Sequence, residues 1–124
     1  MYPREFYIIP EELYRIGNSS GPRLSHIRSS EIDTYDRNGV LMIRANNKGI
    51  SLYDANGLKE AGLTGWAWKF AADTFVPMGL KVFNDAQGHF MMVPTLEMPL
   101  AKYKGLLEEL ALRAQKAFKV DLAL

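Results

Sequence analysis

Apolar and polar positions along this chain change period once. Up to about residue 94 they alternate in short runs, which predicts strands. "ELYRIG" (12–17) is one such run, with Leu13 and Arg15 on one face. The pair Asn38-Gly39 is a hairpin signal, because both residues tolerate positive φ, and a strand follows from Val40 to Ala45. Ile50–Asp54 is the next, with Ile50 and Leu52 on one side and Ser51 and Tyr53 on the other. "GWAWKF" (65–70) alternates strictly and sets Trp66, Trp68 and Phe70 on one face, which predicts a core-facing strand. "LKVFND" and "HFMMVP" flank the turn "DAQG" as a hairpin. Between strands, "NSSGPRLSHIRSS" reads as loop, and "DANGLKEAGL" (54–63) holds a helical turn capped by Asp54 or Asn56. From Pro99 to about Phe118 the period becomes helical, with Leu100, Tyr103, Leu106, Leu107, Leu110 and Ala114 on one stripe. The expected class is α+β: about six short strands and a long C-terminal helix, in one domain over residues 1–124.

Composition narrows the function classes. A net charge of +1 argues against a concentrated basic surface for nucleic acid or membrane, while leaving a local patch open. Cysteine is absent, which removes disulfides, thiolate nucleophiles and thiolate metal sites. His26 and His89 lack a zinc spacing. No run is long and apolar enough to span a bilayer. "MYPREFYIIPEE" lacks the clean apolar stretch of a signal peptide, so export would use a route that reads no cleavable leader.

A few polar side chains stand where chemistry is possible. Arg15 sits mid-strand, and a guanidinium matches phosphate geometry; its plain alternative is an exposed strand arginine. Ser51 and Tyr53 share a strand face: a hydroxyl that could orient a sugar or carboxylate, and a ring that could stack on a flat ligand. The alternative is simply a wet sheet face. Gln87 and His89 lie at the start of a late strand, where His89 is a general acid or base or a hydrogen-bonded edge residue. Glu97 lies just before the helix, where the dipole also favours an acid. The sequence contains no phosphate-loop, nucleophile-elbow or metal-cluster motif.

Taken in order, "LYRIGN", "NKGISLYD", "GWAWKF", "VPMGLKVFND", "GHFMMVP" and "EMPLAKYKGLLEEL" carry a resemblance. From about residue 12 to residue 110 the chain resembles the type VI secretion effector toxins with an ADP-ribosyltransferase-like fold. That resemblance implies a split β-sandwich gripping NAD, as substrate, between two small sheets. It implies ADP-ribosyl transfer to an unknown macromolecular target, or NAD hydrolysis, in the cytoplasm, reached in a target cell by secretion. It also implies a cognate immunity protein; the balanced charge, not the resemblance, argues against a membrane or nucleic-acid partner. Arg15 would hold NAD and Ser51 would orient the nicotinamide-side ribose, with Tyr53 beside them. The family's usual late-strand glutamate is absent; Gln87, His89 or a folded-back Glu97 would fill its place. Two alternatives remain: a non-enzymatic binding module on the same scaffold, and an RNA phosphotransferase, which would want more cations in the cleft.

Overall fold

A computed structural model describes residues 2–121. Met1 and residues 122–124, which the single-domain assignment includes, lie outside them. The described strands are β1 (Arg4–Phe6), β2 (Leu13–Gly17), β3 (Thr34–Arg37), β4 (Val40–Ile43), β5 (Ile50–Tyr53), β6 (Gly65–Phe70), β7 (Leu80–Ala86), β8 (His89–Pro94), β9 (Met98–Pro99) and β10 (Gln115–Val120). Helix α1 (Ala55–Ala61) follows β5, and α2 (Leu100–Ala111) follows β9. A 3-10 turn, Ser29–Glu31, precedes β3.

The strands form two antiparallel sheets. The larger has the order β1-β7-β8-β5-β2-β6-β10, and the smaller β3-β4-β9. One core joins them: Leu13, Ile50, Leu52, Phe70 and Phe90 from the large sheet meet Ile43 and Met98 from the small one, against Tyr103, Leu107 and Leu110 of α2. Buried area of this kind is the main stabilising term. A lesser cluster, Tyr14, Leu58 and Ala67, lies under α1.

Local signals explain several elements. Asn38 and Gly39 both take positive φ, 52° and 86°, and close the β3–β4 hairpin. Asp54 caps α1, accepting from the Gly57 N–H at 2.7 Å, and Gly62 ends it in the left-handed region. Tyr103 reaches from α2 to the β5–β8 seam: its hydroxyl donates to Met92 O at 2.6 Å and accepts from the Ile50 N–H at 3.2 Å. The chain passes so close there that a Cβ on Gly49 would lie 1.9 Å from Met92 O.

Three expectations are corrected. The last helix stops at Ala111 instead of running to about Phe118, and β10 then pairs with the outer edge of β6. The N–H groups of Leu112, Arg113 and Ala114 each bond the carbonyl three residues back, tightening the last turn and ending the helix, while Ala114 still packs against the core as the helical stripe expected. The described strands number ten rather than about six, because β1, β3 and β9 at the sheet edges are too short to show alternation and β10 lies where the helical count was extended. Trp66 and Trp68 are half-buried, not core; only Phe70 of that face is buried. The sheet extends past the core at that end, where Lys116 lies over the Trp66 ring and Trp68 Nε1 donates to Asn18 O at 2.8 Å.

Candidate active site

The large sheet nearly parts between β2 and β5. They share one register pair, Tyr14↔Tyr53, whereas β2 follows β6 from Leu13 to Gly17. Past Tyr14 an ion pair replaces the ladder. Arg15, only 5% exposed, donates from Nη1 to Ser51 O at 2.8 Å and to Glu31 Oε2 at 2.9 Å, and from Nη2 to His26 O at 3.1 Å. The same Glu31 oxygen accepts from the Ser51 N–H at 2.8 Å, and its other oxygen accepts from the Arg28 N–H at 3.0 Å. Both backbone groups of Ser51 are thus held by one guanidinium–carboxylate unit. Burial alone would raise the Glu31 carboxyl; the Arg15 hydrogen bonds and charge, joined by two backbone N–H groups, outweigh it and keep it below the usual range.

The Ser51 side chain belongs to the other face, with Tyr53, as the alternation of β5 requires. His89 is directly opposite Tyr53 in register, its ring 5.4 Å away and tilted by 56°. Its Nε2 lies 3.0 Å from Ser51 Oγ and its Nδ1 2.7 Å from Asp85 Oδ1. A hydroxyl, an imidazole and a carboxylate therefore lie in one hydrogen-bonded line.

A cleft of about 310 Å³ opens at the parting of β2 and β5, walled by Arg15, Arg23, His26, Arg28, Tyr53 and Leu63. No carboxylate is in its described lining. Residues 11–118 match the family model of the Tse2 ADP-ribosyltransferase toxin. The chain belongs to that toxin family. No curated protein and no solved structure matches it significantly. Membership carries a bacterial toxin of the ADP-ribosyltransferase class on an α+β fold.

In the structure of this Tse2-family chain, the sequence candidates divide. Arg15 and Ser51 do converge, but through the Ser51 carbonyl and not its hydroxyl. Ser51, Tyr53 and His89 form one group. Gln87 is exposed in the β7–β8 turn, in a separate notch beside Asn56 and Gly57 at the start of α1. Glu97 does not fold back: Tyr35 of the small sheet donates to it, and Arg37 and Arg44 stand near. That hydrogen bond holds the Glu97 carboxyl below its usual range. Four residues were missed from sequence. Glu31, Arg23 and Arg28 lay in a stretch read as loop and its margin, where no periodicity points at a partner. Asp85 sat inside the turn signal "DAQG", four residues before His89, and that spacing was the one available hint.

Proposed function

We propose that this Tse2-family toxin binds NAD in the β2–β5 cleft and breaks the nicotinamide–ribose bond, passing ADP-ribose to a macromolecular target or to water. The observation that carries the reading is the cleft lining: cations from one side, an aromatic ring on the other, and no opposing carboxylate. Arg23 and Arg28 are exposed cations suited to a pyrophosphate. Arg15 is already committed to Glu31, Ser51 and His26, so it acts by holding β5 in place. A cleft near the lower end of ligand pockets, about 300–1,000 Å³, suits the pyrophosphate and one nucleoside half. Over Tyr53 that half reaches Ser51 and His89.

The chemistry asks little in the way of proton donation. Nicotinamide leaves neutral from a cationic nucleoside, and the ribose becomes oxocarbenium-like, as in glycoside hydrolysis. The site has to hold the bent dinucleotide and stabilise positive charge at the sugar. Among the described residues at this face, Asp85 is the carboxylate joined to the Ser51–His89 pair, and its charge reaches that pair through the His89 ring, whereas Gln87 lines a separate notch and Glu97 is held by Tyr35. Delivery by type VI secretion into the cytoplasm of another bacterium, and neutralisation by an immunity protein, complete the reading; family membership is their support.

Incubation with labelled NAD and a bacterial lysate tests it. Free nicotinamide or a labelled macromolecule is expected. NAD at a hundred times its dissociation constant stabilises the fold by about 2.7 kcal/mol, and Arg23→Ala with Arg28→Ala abolishes that shift without lowering the NAD-free melting temperature. No shift and no nicotinamide release would sink the proposal. The same experiment addresses the non-enzymatic binding module, which the missing late-strand glutamate motivates: it expects neither nicotinamide release nor an NAD-dependent shift in melting temperature. The objection to RNA phosphotransfer, too few cations, loses force with Arg23 and Arg28 at the cleft; labelled RNA in the lysate arm tests for it.

A further inference from the structure

Asp85 is aimed by a feature that neither the strand pattern nor the family motifs announce. β7 and β8 slip register between Asn84 and Ala86, so Asp85 is the extra residue of a β-bulge. A bulge bends its strand and redirects a side chain. Here Ala86 pairs with His89, and the extra residue, Asp85, turns its carboxylate to the His89 ring. The bulge is braced from within. Asn84, with no exposed surface, donates through Nδ2 to Ala86 O and His89 O, each at 2.8 Å. Its Oδ1 accepts from Arg4 Nη2 at 2.7 Å and from Nε at 3.1 Å. A buried amide with donors and acceptor engaged in this way holds a specific backbone shape. The Asp85–His89 contact is thus set by the interior and not only by two half-exposed side chains meeting.

With a neutral His89 ring and an ionised Asp85, the donor inventory assigns the protons. An ionised carboxylate only accepts, so His89 Nδ1 carries the hydrogen directed at Asp85. In the neutral ring Nε2 is bare, and it accepts from the Ser51 Oγ–H at 3.0 Å. We propose that Asp85, His89 and Ser51 form a proton relay that makes the Ser51 hydroxyl a nucleophile. Nucleophile, base and orienting group stand in the order and within the distances that such activation requires. Ser51 and His89 are the reacting residues; Asp85 is a positioning residue that acts through the ring.

The electrophile follows from the NAD reading and rests on it: the anomeric carbon of the nicotinamide-side ribose. Tyr53 is the shared wall, lining the cationic cleft and packing on His89, so a sugar leaving that cleft meets Ser51. In the step, the bond from Ser51 Oγ to the anomeric carbon forms. The bond to nicotinamide breaks, and its electron pair stays on the ring nitrogen. The hydroxyl proton passes to His89 Nε2, and the imidazolium charge is held against Asp85. The product is the toxin ADP-ribosylated on its own Ser51, with nicotinamide released.

A fluorophosphonate probe tests the relay without NAD: Oγ bonds to phosphorus, fluoride leaves with its electron pair, and His89 takes the proton. Labelling of the folded wild-type protein, mapped by peptide mass spectrometry, should fall on Ser51. His89→Ala should slow it about 100-fold, the scale of a general base. Asp85→Asn should slow it more than Asp85→Ala does, because an amide can donate to Nδ1 and so turn Nε2 into the protonated nitrogen. A residue that only braced the hairpin would give the opposite order. Equal melting temperatures among the variants exclude misfolding as the cause. Labelling of other serines in preference, or rates indifferent to His89 and Asp85, overturns the relay. With NAD in place of the probe, an ADP-ribosyl adduct on Ser51 is expected in wild type and absent in His89→Ala. Ser51 labelled by the probe but not by NAD would uphold the activated serine and remove the dinucleotide as its electrophile.

Discussion

Residue 51 is gripped from two sides that differ in kind. On the core side its N–H and C=O are held by Glu31 and Arg15, whose side chains are each 6% exposed. On the open side its hydroxyl meets His89, and beyond it Asp85, with side chains 29% and 36% exposed. The first arrangement replaces missing strand pairing at the β2–β5 parting. The second leaves oxygen lone pairs and an imidazole within reach of solvent and of a ligand. Buried charges with their donors engaged build structure; half-exposed groups in a line can exchange protons. An arginine-and-serine motif thus contains two roles: a brace for the strand and a reacting edge.

Removing half of the brace is the largest break. Arg15→Ala or Glu31→Ala leaves a buried charge without its partner, which should destabilise by about 3–5 kcal/mol, read from the denaturant midpoint. The double variant Arg15→Met, Glu31→Leu removes both charges together and should regain part of that stability, the remainder being lost because the backbone groups of Ser51, His26 and Arg28 lose their partners. If each single variant cost less than about 1 kcal/mol, in the range of an exposed pair, the core side would be no brace at all.

The next effect comes from the third hold on β5. Tyr103→Phe orphans the Ile50 N–H and Met92 O at a site where water has no access. A destabilisation of about 1–3 kcal/mol is expected, while the hydrogen bond between Ser51 Oγ and His89 stays in place. Burial raises the Tyr103 phenol above its usual range, so this hydroxyl remains a donor to Met92 O throughout ordinary pH.

The brace also has a pH signature. The folded Glu31 carboxyl titrates below its ordinary value of 4.5. Below that value the unfolded chain binds the proton more readily than the folded one, so stability rises with pH across this window. The contribution is complete above the unfolded value and is lost as pH falls through the folded one. Stability measured from pH 6 down to pH 2 should decline less steeply in Glu31→Gln than in wild type. Equal slopes would mean that Glu31 is not held as an ion. Glu97 and Asp33, also lowered, give acid slopes of their own that this substitution leaves in place.

What could be read from sequence followed locality. The hairpin at Asn38-Gly39, the Asp54 cap and the shared face of Ser51 and Tyr53 are decided within a few residues, and the structure has all three. Arg15 was visible as a candidate, but its partner Glu31 lies across a loop with no periodicity to say what it faces. Asp85 depends on a one-residue register slip, which strand patterns do not encode. β10 is nearly all exposed; backbone pairing to the free edge of β6 makes it a strand, while Ala114 happened to extend the helical count. The aromatic face of β6 was misplaced because alternation tells which side chains share a face, not where along the strand the core ends.

The smallest change in stability should come from the residue at the centre of the comparison. Ser51→Ala leaves its N–H and C=O on Glu31 and Arg15, because both bonds use the backbone. It removes one hydroxyl on a half-buried face, where water can take its place beside His89. The melting free energy should therefore move by about 0.5 kcal/mol or less. Nicotinamide release should nonetheless fall about 100-fold or more, because the nucleophile that His89 deprotonates is gone. A variant as stable as the parent and still fully toxic would place the chemistry elsewhere. A strongly destabilised one would show that the hydroxyl, too, belongs to the brace. The two measurements on one variant separate the sides of a single residue, which truncating Arg15 or Glu31 cannot do, since either change disturbs the strand that carries the hydroxyl.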